Sequence, residues 1–201
     1  MLFRGKPTDS INHLRKERDL TYRIIASFQK IRRSYQGAGG ISMNRYQITA
    51  MTVSAAGLIG IVGYEGYSAT AYKDTGGILT VGFGHTGSEV KASTRMTVSE
   101  AMKTLGKDVG HTEKVLQACL GDDIKLTQSE WDAYISLAYN VGAKAVCKSS
   151  IKWKLQTGRY QAACAAILSF DKVRVNGKLV KNKGLTNRRE DEYRICMRGQ
   201  E

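Results

Sequence analysis

One proline stands in 201 residues, and no stretch is low in complexity or repeats at the period of a solenoid or propeller. No C-x-x-C pair occurs among the four cysteines, and no histidine lies at ligand spacing from them. A zinc site is therefore not expected, and no other metal or cofactor is. The chain also lacks a zinc-finger spacing, an aromatic RNP-type strand and a clear recognition helix. Its 31 Lys/Arg against 18 Asp/Glu give a net charge of +13, but they are spread along the chain rather than gathered in a stripe. Nucleic acid is not the expected partner. A basic surface attracts any polyanion, anionic lipid and anionic cell wall included, so charge alone does not choose. What is present, 42% apolar and 24% charged residues, is ordinary for a soluble protein. The length suffices for one domain with a real core and a modest appendage.

Three regions differ in character. Residues 1–42 hold nine Lys/Arg against three Asp/Glu. Ile11, Leu14, Ile24, Ile25, Phe28 and Ile31 fall at roughly helical spacing, so residues 10–34 are expected to form a basic amphipathic helix. The same segment also reads as an upstream extension, with Met43 as the native start. The second region, residues 46–64, carries no charge over nineteen positions and is preceded by Arg32, Arg33 and Arg45. That length just spans a hydrocarbon core, although the run is rich in Ala, Gly, Ser and Thr. Three readings fit it: a buried core helix, a cleaved signal peptide, or a marginal membrane segment able to leave the bilayer. The second lacks a convincing A-x-A site before Glu65.

From Glu65 onward the chain is dense in Gly, Tyr and Thr. Gly76-Gly77 is expected to turn a small hairpin. Thr97-x-x-Glu100 and Thr127-x-x-Glu130 are capping-box signals, and helices are expected near 98–118, 128–141, 147–156, 160–169 and 186–197. Asn176-Gly177 is expected to turn a second hairpin. The fold class is α+β, a small β-hairpin lobe beside a larger helical lobe. Trp131 and Trp153 sit at apolar helix positions and are expected in the core; His111 is expected on the surface.

Cleavage of a glycosidic bond needs an acid for the leaving oxygen and a base or nucleophile across the sugar ring. Glu65 closes an apolar run, a setting that favours a protonated carboxyl. Asp74 lies in a polar turn beside Lys73 and Thr75, a setting for an ionised one. Thr80, six residues on, offers a hydroxyl to hold water. The spacing alone is equally that of solvated loop charges. The letters around it are more specific: Glu65-x8-Asp74-x5-Thr80, inside E-G-Y…A-Y-K-D-T-G-G…T-V-G-F-G-H, resembles the catalytic signature of the tailed-phage lysozymes. The resemblance covers about residues 63–198 and includes Gly184-Leu185-Thr186-Asn187-Arg188-Arg189, with Glu192 following.

The resemblance implies a lysozyme-like fold and a muramidase that hydrolyses the β-1,4 bond between N-acetylmuramic acid and N-acetylglucosamine in peptidoglycan. Glu65 would be the general acid. Asp74 and Thr80 would position water, with a covalent intermediate on Asp74 as the competing mechanism. Arg188 would orient Glu65. His85 would be structural, with Asp108 as its expected partner. Asn140, in Tyr139-Asn140-Val141-Gly142, resembles a segment lining the saccharide groove, although its position also suits a helix cap.

Residues 43–64 resemble the signal-anchor-release segments of some phage endolysins, which are exported uncleaved, held transiently at the inner membrane and then released to the periplasm. The alternative is a core helix in a cytoplasmic enzyme freed by a holin. The four cysteines by themselves fit two disulfides or four buried thiols. The resemblance favours disulfides, with Cys164–Cys196 paired and Cys119–Cys147 left to pair. The domain reading is therefore 1–42 basic extension, 43–64 anchor and 65–201 catalytic domain, in a monomer. The rival enzyme is a lytic transglycosylase; the rival class is a membrane-disrupting protein acting through the basic helix.

Overall fold

The computed structural model describes residues 44–200 apart from 75 and 176; the basic extension, with the helix expected over 10–34, lies outside the described residues. In chain order the elements are β1 (Tyr46–Gln47), α1 (Ala55–Glu65), β2 (Ser68–Lys73), β3 (Leu79–Gly82), β4 (His85–Thr86), α2 (Val98–Leu120) and β5 (Lys125–Leu126). Then follow α3 (Gln128–Val141), α4 (Ala143–Cys147), α5 (Ser150–Gln156), α6 (Tyr160–Ala166), β6 (Lys172–Val175), β7 (Lys178–Lys181) and α7 (Lys183–Met197). A small antiparallel β-lobe thus stands beside a larger helical lobe, the α+β arrangement expected.

The uncharged run does not form one helix. Tyr46–Gln47 pairs antiparallel with Lys125–Leu126, a 3-10 turn covers Ile48–Ala50, and α1 starts only after Ser54, whose hydroxyl accepts the Gly57 N–H. Eleven residues of helix are about 16 Å long. Among the described residues no helix is long and apolar enough to cross a membrane. Irregular backbone needs partners, and α2, α3 and their flanks supply them. Gln117 Nε2 donates to the carbonyls of Ile48 at 2.7 Å and Met51 at 3.1 Å, and Gln128 Nε2 donates to the Thr52 carbonyl at 2.9 Å. The Val53 N–H donates to Glu113. Asp132 accepts from both the backbone N–H (2.8 Å) and the hydroxyl (2.5 Å) of Ser54. Arg45 bonds the fully buried Glu130 at 3.1 Å and stacks 3.9 Å from the Tyr160 ring. Gly57 permits this docking, because a Cβ there would lie 2.7 Å from Asp132 Cγ.

Both capping boxes form as the sequence indicates, Thr97 with Glu100 and Thr127 with Glu130. Helix α2 buries one stripe, Ala101, Leu105, Val109, Leu116 and Leu120. Helix α3 is buried on every side from Glu130 to Ala138 and is the axis of the helical lobe. Two disulfides, Cys119–Cys147 and Cys164–Cys196, tie α2 to α4 and α6 to α7. They close segments of 28 and 32 residues, which on a chain-entropy view stabilises by about 3–4 kcal/mol each.

Three details differ from the expectations. The helix expected over 147–156 is two, because the chain breaks after Cys147 and restarts at Ser149, whose hydroxyl accepts the Ile151 N–H. Trp153 is not in the core: Ile151 and Leu155 take the buried face of α5, and a residue two positions from Ile151 lies about 200° round the helix. Trp153 is 46% exposed, with the Arg159 guanidinium 5.3 Å and the Lys154 ammonium 5.8 Å from its ring. Trp131 is fully buried and His111 exposed, as expected. Helix α7 begins three residues early, at Lys183, because the Asn182 side chain accepts the Leu185 N–H.

Candidate active site

Glu65 is the last residue of α1, and Gly66 at φ 67° turns the chain into the β-lobe. The Glu65 carboxyl is bonded by Arg188 and closely approached by Gly84. Arg188 reaches from α7 and donates through Nη1 to Oε1 at 2.7 Å. On the other side lies Gly84, at φ +85°, where a Cβ would come within 3.0 Å of Oε2. The glycine of the Phe83-Gly84-His85 turn thus serves both a left-handed backbone and a close approach to the carboxyl.

Arg188 is itself braced. Its Nε donates to Glu192 Oε1 at 3.1 Å and its Nη2 to the Ser136 carbonyl at 3.3 Å, while the guanidinium sits 4.7 Å from the Tyr64 ring centre. Glu192 is fully buried; it also accepts the Ser136 hydroxyl at 2.7 Å and lies 2.8 Å from Arg189 Nε. Burial pushes the Glu192 carboxyl up, with both guanidiniums and Ser136 opposing. Glu192, named in the sequence only as following the Arg188-Arg189 pair, bonds both arginines. Its signal was the i, i+4 spacing from Arg188 on one helix.

Asp74 stands in the turn between β2 and β3. Its Oδ1 accepts the N–H groups of Gly76 and Ile78, both at 2.8 Å, and Oδ2 has no hydrogen-bond partner among the described residues. Thr80 is buried opposite Tyr72 in the β2–β3 ladder. Its hydroxyl donates to the Ile78 carbonyl at 3.2 Å, which leaves oxygen lone pairs to accept from water.

His85 does not bond Glu65. Its Nδ1 lies 2.7 Å from Asp108, the partner expected, and its Nε2 lies 2.9 Å from Glu89, a partner not foreseen. Burial would lower its pKa, but the two carboxylates outweigh burial and raise it. A histidine raised in the folded state stabilises fully below its unfolded value of about 6.5 and ceases to do so as pH rises through the folded value. The stability lost in His85→Gln is therefore expected to be largest below about pH 6 and to shrink on the alkaline side. Melting curves of both proteins across that range check this; a difference that grows with pH would contradict it.

Asn140, expected in the saccharide groove or as a cap, does not cap α3, whose C-cap is Gly142. It is exposed, and its Oδ1 accepts from Arg189 Nη2 at 3.0 Å, so its amide NH2 is the group left for a ligand. Among the described residues, no three His, Cys, Asp or Glu side chains form a group able to hold a metal ion.

A family model described as phage lysozyme matches residues 62–192, a span holding Glu65, Asp74, Thr80, Arg188 and Glu192. The sequence is 34% identical over 142 residues to the endolysin of Acyrthosiphon pisum secondary endosymbiont phage 1, covering 71% of this chain and 95% of that one. It is 34% identical over 144 residues to the SAR-endolysin of Pseudomonas phage phiKMV, covering 71% and 87%. The solved endolysin from Escherichia coli O157:H7 phage FAHEc1 aligns with a TM-score of 0.64 at 34% identity, over 76% of this chain and 96% of that one.

Proposed function

Because this chain belongs to the phage lysozyme family, we propose that Glu65, Asp74 and Thr80 carry out its reaction, with Arg188 as the residue that orients the acid. The protein is a glycoside hydrolase, a muramidase-type endolysin whose substrate is peptidoglycan. In the proposed mechanism Glu65 protonates the leaving glycosidic oxygen. Asp74 Oδ2 takes the proton of a water that also donates to Thr80, and this water attacks the anomeric carbon from the opposite face, inverting it. The observation that carries the assignment is the Arg188 hydrogen bond to Glu65 at 2.7 Å, with Gly84 leaving room for the carboxyl, next to the hairpin bearing Asp74 and Thr80.

The test is the product. Digestion of purified peptidoglycan is expected to release a reducing muramic acid end, one water heavier than the anhydro product of a transglycosylase, with the α-anomer formed first. Anhydro products would overturn hydrolysis; retention would move Asp74 to the role of nucleophile.

The uncharged run is further proposed to act first as an export anchor, held transiently at the inner membrane, before the protein is released to the periplasm as a monomer. Supporting this, the folded chain uses the same residues in a different way, with Ser54 and Gly57 docked on Asp132 and the irregular backbone satisfied by Gln117 and Gln128. Gly57→Leu would add apolar surface in lipid and collide with Asp132 in the released fold. It is expected to shift the protein to the membrane fraction and lower soluble muramidase activity. An unchanged partition would favour the holin-dependent cytoplasmic route.

A further inference from the structure

We propose that Tyr72 binds the sugar at the cleavage point, its ring stacking on a pyranose held between Glu65 and Asp74 and its phenolic O–H donating to that sugar's N-acetyl carbonyl. This rests on the reading of Glu65 and Asp74 as the reacting pair.

The placement follows from strand geometry. Successive residues of a strand point to opposite faces, and residues two apart share one. Directly opposed residues of antiparallel strands also share a face. Tyr72 is opposite Thr80 and two residues before Asp74, so the register puts it on the face that carries Thr80 and in line with Asp74. The next residue of β3, Val81, is fully buried and belongs to the other face.

Tyr72 does no structural work visible in the fold. It is 43% exposed, and its hydroxyl has no hydrogen-bond partner among the described residues. Three tyrosines that flank the same region are tied, Tyr64 to Asp191, Tyr67 to the Met96 carbonyl and Tyr139 to the Phe83 carbonyl. An aromatic ring left half in water with a free O–H matches what a saccharide needs, an apolar face for its axial C–H groups and a donor for its oxygens. Burial comes first, then Glu65 and Asp74, in holding the phenol above its ordinary pKa. The phenol therefore stays a neutral donor, and both carboxylates are near enough to act on it.

The experiment compares Tyr72→Phe and Tyr72→Ala with wild type on purified peptidoglycan, with Glu65→Gln as the reference for the site itself. Removing the hydroxyl alone is expected to lower kcat/KM about tenfold, the equivalent of one lost hydrogen bond. Removing the ring as well is expected to lower it roughly a hundredfold, with the melting temperature unchanged in both. In the Glu65→Gln background, calorimetry with a chitin oligosaccharide is expected to show weaker binding once Tyr72 is Ala, a change that a purely structural role would not produce. If Glu65→Gln is inactive while both Tyr72 variants keep wild-type kcat/KM, the proposal fails and the site reading stands. If Glu65→Gln is active, the premise fails and the proposal with it. Should Tyr72→Ala not fold, Tyr72→Phe decides by the same criterion.

Discussion

Glu65→Gln is expected to reduce muramidase activity by about 10²–10⁴-fold, the usual worth of a positioned general acid, while leaving the fold intact. The amide oxygen of Gln can still accept from Arg188 Nη1, which now contacts Oε1 at 2.7 Å, and the side chain keeps its volume beside Gly84. The transferable proton is lost, together with the charge that faces Arg188. Clearing of a purified peptidoglycan suspension measures the rate, and a melting curve checks the fold. A variant within a factor of about ten of wild type would remove Glu65 from the acid role. Asp74→Asn is the companion case: its oxygen can keep the bonds from Gly76 and Ile78, so a loss there reads as loss of the base rather than of the turn.

Glu192→Ala is expected to give the largest loss of stability. The carboxylate is fully buried between Arg188 Nε at 3.1 Å and Arg189 Nε at 2.8 Å. Removing one partner of a buried pair costs about 3–5 kcal/mol, because the charge left behind is uncompensated. Here two guanidiniums would be left facing each other with the Ser136 hydroxyl unpaired. At about 2–4 °C per kcal/mol for a chain of this size, the melting temperature should fall by roughly 6–20 °C. Activity should fall too, since Arg188 would lose the brace that aims it at Glu65. Glu192→Gln, which keeps a hydrogen-bond acceptor, should lose less. A melting temperature within about 2 °C of wild type would mean that the two arginines are solvated or paired elsewhere.

The same cluster shows where sequence reasoning stops. Glu65, Asp74 and Thr80 were legible as a spaced set leading into a glycine-rich hairpin, and the hairpin formed at Gly76-Gly77 because its turn chemistry is local. The capping boxes were legible for the same reason. Glu89 was missed as a partner of His85, and Glu192 as the brace of Arg188, although both pairs are four residues apart. Spacing of that kind states only that two side chains can meet. Whether they do depends on what the rest of the fold packs over them, and Ser136 and Arg189 come from outside the local pattern or its visible face. Trp153 was misplaced because apolar character alone does not choose a face, and Ile151 and Leu155, four residues apart, take the buried one.

The sequence by itself determined the residue types of the site, the hairpin that carries two of them, the starts of the two capping-box helices and the length of the uncharged run. Each depends on neighbours within about one helical turn or one hairpin. Only the tertiary structure decided how that run is used. Nineteen uncharged residues have no intrinsic preference between one continuous helix and a strand, a turn and a short helix. The choice lies with Glu113, Gln117, Gln128 and Asp132, which are far away in the chain and supply the hydrogen bonds that an interrupted backbone needs. The same holds for the acid. Glu65 ends α1 by local rules, but its carboxyl is fixed by Arg188, 123 residues on. Long-range contacts aim a side chain that the local sequence only places.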